Sequence, residues 1–133
     1  MAPTHPEKLE HIAYMMEKLK EDCNGPMKGF ALMHRTATQD GALPAKVKEL
    51  IALGIAITVR CNGCISFHVH DALQSGAKKE EVRETIGVAI LMGGGPSLMY
   101  GIEAYEAVDQ FLALSAEPEE VKATEVVEGV IAE

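Results

Sequence analysis

The sequence predicts one all-α domain of about six helices, and three observations carry that prediction. Apolar residues recur at helical spacing in stretch after stretch, and nowhere is there a convincing alternating strand pattern. The breaks between these stretches fall at helix-stopping residues: Asn24-Gly25-Pro26, Gln39-Asp40-Gly41, Ser75-Gly76 and Gly93-Gly94-Gly95-Pro96. With 133 residues, the chain buries roughly two thirds of its unfolded surface in one core without disulfide staples. We assign residues 1–116 to this domain, with its core over about 30–111, and 117–133 to an acidic C-terminal tail.

In order, Glu7 to Asp22 places Leu9, Ile12, Tyr14, Met15, Met16 and Leu19 at helical spacings between charges. A second helix runs from about Pro26 to Thr38, and Cys23 sits at the junction between the two. The Cys-Asn-Gly at 23–25 recurs at 61–63, which we read as shared turn chemistry rather than an internal repeat because the flanks differ. Pro44 suits the start of a third helix, Ala45 to about Arg60. Its segment Leu50 to Val59 is apolar all round, so we expect enclosure on most sides. β-Branched residues there make a buried strand the competing reading, but length and Pro44 favour a helix.

A fourth helix opens around Cys61 and stops at Ser75-Gly76, and Glu80 to Leu91 forms a fifth. From Pro96 a sixth carries Leu98, Met99, Ile102, Tyr105, Val108, Phe111 and Leu112 along one expected core stripe. The seven methionines are expected to fill the core. The tail has too little apolar material to fold alone and either docks or frays.

Composition excludes several classes. Twelve Lys and Arg against twenty Asp and Glu give a net charge of −8, which repels phosphate backbones, so no nucleic-acid partner is expected. The tail carries six Glu and one Lys, leaving the body nearly balanced. The uncharged run of ten residues from Leu50 to Val59 is about half a bilayer span, and no membrane role is expected. The start, Met1-Ala2-Pro3-Thr4-His5-Pro6, has no signal-peptide pattern, and three cysteines with one close pair suit intracellular thiol chemistry. A cytoplasmic location is the expectation.

Chemistry concentrates in Arg60-Cys61-Asn62-Gly63-Cys64-Ile65-Ser66-Phe67-His68-Val69-His70. On a helix, Cys61, Cys64 and His68 share one face. A thiolate is favoured at a helix N-terminus beside a basic partner, so Cys64 pairs with His68 as its proton acceptor, and Cys61 is placed to condense with an oxidised Cys64 into a disulfide. Glu49 is the unexpected residue of the third helix, because Leu53 and Ile57 continue its face and bury it. In a hairpin turning near Arg60, Glu49 lies about 16 Å back and His68 about 12 Å forward at the usual rise. The carboxylate is then able to orient the imidazole.

Glu49, Cys61, Cys64 and His68 at these spacings resemble the signature of the AhpD-like alkylhydroperoxidases of the carboxymuconolactone decarboxylase superfamily. The Leu-Ile-Ala-Leu-Gly-Ile-Ala lead-in, the His68 to Ala72 continuation and the Gly76 stop agree, and the resemblance covers roughly Phe30 to Phe111. It implies an all-helical fold and commonly a trimer or hexamer. It also implies a peroxidase that reduces a hydroperoxide through a Cys64 sulfenic acid, with Cys61 as resolving thiol and Glu49 and His68 as proton relay. No bound cofactor is implied; reduction comes from an external dithiol, in some cases a lipoyl-bearing protein. Some family peroxidases have a His directly before the second cysteine, where this chain has Gly63.

Three other readings stand beside this one. The pair serves a redox-sensing or thiol-exchange module without efficient turnover, or the chain acts on a small lactone as the superfamily name suggests. Otherwise Cys61, Cys64 and His68 hold zinc with Cys23 or Glu49 as fourth ligand. Glu49 as a solvated first-turn residue is the plain alternative to the relay. Cys23 reads as an inert core thiol, and His11, His34 and His70 as surface or packing residues. Gly93-Gly94-Gly95 has no following Lys-Ser or Lys-Thr and reads as a turn, not a phosphate loop.

Overall fold

The computed structural model of the protein describes residues 1–115, six helices with no strand among the described residues. They are α1 (His5–Asp22), α2 (Asn24–Thr38), α3 (Ala45–Thr58), α4 (Asn62–Gln74), α5 (Lys79–Gly93) and α6 (Gly95–Ser115). The acidic tail assigned to 117–133 lies outside the described residues. None of the described helices is long and apolar enough to cross a membrane.

Helix ends shift by a residue or two for identifiable reasons. Thr4 forms a capping box with Glu7: its Oγ1 accepts from Glu7 N at 3.3 Å and its own N donates to Glu7 Oε2 at 2.9 Å. That places Pro6 inside the first turn, so α1 starts at His5 rather than Glu7. The two Cys-Asn-Gly segments do share a role. Cys23 and Cys61 are N-caps, and Asn24 and Asn62 are the first residues of α2 and α4.

α3 and α4 form one hairpin and α5 and α6 another, with α3 packed on α5, α4 on α6, and α1 laid across α4 and α6. Leu53 and Ile57 of α3, Ile65 and Val69 of α4, Val82 of α5 and Val108 of α6 form the centre of the core. α1 adds Leu9 and Ala13.

Three packing expectations need correction. α3 is not enclosed on most sides: Ile51, Ile55 and Val59 are exposed while Leu53, Ala56 and Ile57 are buried. The exposed side and α5 line a groove of 430 Å³ that includes Ile51, Ile55, Val88 and Met92. α6 buries Ser97, Gly101, Ala104, Ala107, Val108 and Phe111, so only Val108 and Phe111 of the expected stripe face inward. Close approach explains the choice, since a Cβ on Gly101 would lie 2.9 Å from Ile86 Cγ2 of α5. Small side chains let α5 and α6 come together, and the large ones are turned out. Finally, of the methionines only Met16 packs against the core, whereas Met15, Met33, Met92 and Met99 are exposed.

Candidate active site

The backbone delivers the cysteines through a helix-ending motif. Arg60 N donates to Ile57 O at 3.2 Å and Cys61 N to Ala56 O at 3.0 Å, the paired bonds of a Schellman cap. The motif needs a left-handed residue, and Arg60 supplies it at φ 61°. Cys61 follows as N-cap of α4, its Sγ accepting from Cys64 N at 3.3 Å. The two cysteines are joined as a disulfide with their Cα atoms 5.2 Å apart. They are in neither of the clusters in which three possible metal-ligand atoms lie within 4.8 Å among the described residues.

Glu49 is 3% exposed, as its place on the Leu53 and Ile57 face requires, and not a solvated first-turn residue. His68 Nδ1 meets its Oε2 at 2.8 Å. A carboxylate only accepts, so Nδ1 carries the proton and a neutral His68 keeps Nε2 as a free base. His68 stands one turn beyond Cys64 on the same face of α4.

Around this pair the structure gathers His34 and His70, expected to be surface or packing residues, together with Asp71. The ring of His34 on α2 stacks on His68, centroids 6.4 Å apart and planes inclined 21°, and meets Phe67 edge-on at 5.8 Å. Its Nε2 is 3.9 Å from Asp71 Oδ2, too far for a hydrogen bond. Both ring nitrogens of His34 are shut from solvent without a hydrogen-bond partner. Asp71 Oδ1 accepts from His70 Nδ1 at 2.7 Å, and the ring of the fully buried His70 packs 5.6 Å from Phe111. Oxygens of Glu49 and Asp71 and a nitrogen of His34 lie within 4.8 Å of one another. Two carboxylate charges that close repel by roughly 3 kcal/mol at an effective dielectric of about 20, so the cluster favours a positive occupant. Asp71 was readable in principle, since Cys64, His68 and Asp71 fall at i, i+4 and i+7. His34 had no local signal.

On another side of α4 lies a second polar cluster, also unforeseen. His5 is 1% exposed; its Nδ1 is 2.5 Å from Ser66 Oγ, its Nε2 3.0 Å from Glu103 Oε2, and its backbone N donates to Gln110 Oε1 at 2.6 Å. Nε2–H donates to the Glu103 carboxylate, and the Ser66 hydroxyl donates to Nδ1. Burial pushes the imidazole below its ordinary value of 6.5, outweighing the opposing Glu103 bond, so the ring is held neutral. Lys8 Nζ adds a bond to Asn62 Oδ1 at 3.1 Å, tying α1 to the start of α4.

Residues 26–107 match the model of the carboxymuconolactone decarboxylase family. The chain belongs to that family. Among curated relatives, an uncharacterized protein of Cupriavidus necator is 44% identical over 90 residues, 68% of this chain and 77% of that protein. An uncharacterized protein of Haemophilus influenzae is 32% identical over 101 residues, 76% of this chain and 89% of its own length. Among solved structures, the apo form of a carboxymuconolactone decarboxylase family protein from Legionella pneumophila superposes with TM-score 0.78 at 42% identity, covering 80% of this chain and 96% of that one. A Thermotoga maritima protein at 24% identity shares the fold, with TM-score 0.70 over 80% of this chain and 99% of its own. Within the carboxymuconolactone decarboxylase family, then, this member carries a Cys61–Cys64 disulfide capping the helix that holds His68.

Proposed function

We propose that the protein is a thiol-dependent oxidoreductase that reduces hydroperoxides, with Cys64 as the attacking thiol and Cys61 as the resolving one. The observation that supports this most is the disulfide at the N-terminus of α4, one turn from an imidazole whose other nitrogen is held by buried Glu49. In the reduced enzyme, His68 Nε2 takes the Cys64 proton directly or through a water. The thiolate sulfur attacks the peroxide, forming an S–O bond as the O–O bond breaks, and the leaving alkoxide takes a proton from the relay to become an alcohol. Cys61 then displaces water from the Cys64 sulfenic acid to form the disulfide. Two electrons from an external dithiol, of the lipoyl-bearing kind, restore both thiols by exchange.

Gly63 favours a second reading, a thiol-exchange or sensor module with little peroxide turnover. It lacks the imidazole seen in some family peroxidases, and a Cβ there would sit 3.1 Å from Ile12 Cδ1, so α1 crowds that position. Peroxide consumption with dihydrolipoamide, alongside a thiol count before and after one equivalent of oxidant, decides between them. Turnover with loss of two thiols, abolished in Cys64→Ser, supports the peroxidase. Two thiols lost without turnover supports the exchange module, and consumption of a small lactone with no thiol dependence overturns both.

We further propose that the chain works as a homo-oligomer of the trimer or hexamer kind, a second copy covering the groove between α3 and α5. Its apolar lining supports this, with Ile55 56% and Met92 76% exposed. A light-scattering mass equal to one chain overturns it.

A further inference from the structure

We infer that His34, Glu49 and Asp71 form a binding site for a divalent transition metal of the zinc class, beside the disulfide and not made from its sulfurs. The three side chains come from α2, α3 and α4 and bring a nitrogen and two carboxylate oxygens within 4.8 Å of one another. One imidazole and two carboxylates suit zinc, cobalt or manganese, and three protein ligands leave a position open. Ligand atoms of a tetrahedral ion with bonds of about 2.1 Å sit roughly 3.4 Å apart, so from within 4.8 Å the pocket has to close by at most about 1.4 Å.

Two further observations separate this cluster from a chance meeting of charges. Both nitrogens of His34 are shut from water with no hydrogen-bond partner, a state that a metal bond relieves at one of them. Each carboxylate is already oriented by an imidazole: Glu49 by His68 at 2.8 Å and Asp71 by His70 at 2.7 Å. Outer partners of this kind hold ligating groups in place at metal sites. The other cluster with three possible ligands, His5, Glu103 and Glu106, lacks these features, because both His5 nitrogens are bonded and Glu106 is exposed. Since Glu49 is shared, an ion bound to it draws charge from the carboxylate that orients His68, and on the relay reading above the metal acts as an inhibitor. The site itself does not depend on that reading.

The test is a cobalt titration of the full chain with the Cys61–Cys64 disulfide closed and Cys23→Ser removing the free thiol. One equivalent of Co²⁺ is expected to bind with visible d–d absorption of four- or five-coordinate strength. His34→Ala and the isosteric Asp71→Asn, each checked for an intact melting transition, weaken binding by about 10–100-fold or more. Glu103→Gln leaves it unchanged. No uptake at millimolar cobalt, equal binding in His34→Ala and Asp71→Asn, or loss confined to Glu103→Gln overturns the site. Because absorption is read on the oxidised protein, a negative result leaves the peroxidase reading standing, and a failed peroxidase assay leaves the metal site standing.

Discussion

His5 and His34 both reach the neighbourhood of α4, yet His5 ends with both ring nitrogens bonded and His34 with neither. The His5 cluster is closed: a hydroxyl, an imidazole and a carboxylate satisfy one another and join α1, α4 and α6. The cluster of His34, Glu49, His68, His70 and Asp71 is open, with unpartnered nitrogens and two carboxylates near each other. Closed buried networks rigidify, whereas open ones are costly unless something enters them. The contrast suits one cluster to support and the other to the chemistry proposed above.

The largest expected effect tests that assignment. On the proposed relay, His68→Gln or Glu49→Gln removes the base or its orienting group, and peroxide turnover with a dithiol is expected to fall by roughly 10²–10⁴-fold. His5→Gln, measured per folded molecule, leaves turnover within a few-fold. A His68→Gln variant with full turnover would sink the relay, and a His5→Gln variant that folds but loses turnover would erase the distinction between the clusters.

Stability should show the reverse order. His5→Ala removes the ring bonds to buried Ser66 and half-exposed Glu103 and empties the volume of a buried ring, while the backbone bond to Gln110 stays and Ser66 Oγ keeps Asn62 O at 3.4 Å. We expect a loss of about 1–3 kcal/mol, read from urea midpoints at unchanged slope. His34→Ala, whose nitrogens have no hydrogen bonds to lose, should cost less. Equal costs would mean that His34 is packing the fold as firmly as His5 pins it.

This division also explains what the sequence disclosed. Cys61, Cys64 and His68 are neighbours on one helix, so spacing alone places them together. Glu49 was legible because a carboxylate on an apolar face needs a partner and a short hairpin brings one. His5, Ser66 and Glu103 are separated by 61 and 98 positions, beyond the reach of local periodicity. The six helices were legible from their stop residues. The inward face of α6 was misread because large apolar residues were weighed above Gly101, Ala104 and Ala107, while close packing against α5 selected the small ones.

A pH series sharpens the closed cluster further. Burial holds His5 below its ordinary value of 6.5, so below that pH the unfolded chain binds a proton that the folded chain refuses. Its contribution is therefore level above pH 6.5 and declines as pH falls toward the depressed folded value. The stability difference between wild type and His5→Asn should narrow on acidification by at most about 1.4 kcal/mol per pH unit. A difference that stays constant from pH 7.5 to 5 would show that burial does not hold the ring neutral.

The smallest effect concerns the backbone, where the same contrast between support and chemistry recurs. α4 ends in the same cap as α3: Gly76 N bonds Leu73 O at 3.1 Å and Ala77 N bonds Ala72 O at 2.9 Å, with Gly76 at φ 96°. At the corresponding turn before the disulfide, the left-handed residue is Arg60. A side chain there costs on the order of 1 kcal/mol relative to glycine. Arg60→Gly should thus raise stability by up to about 1 kcal/mol, less whatever the looser unfolded chain takes back. The turn sets Cys61 through its N–H to Ala56 O, so a more freely moving residue before it should also slow closure of the disulfide after oxidation. Stability gained with closure unchanged would show that the arginine is tolerated at this turn and not used by it.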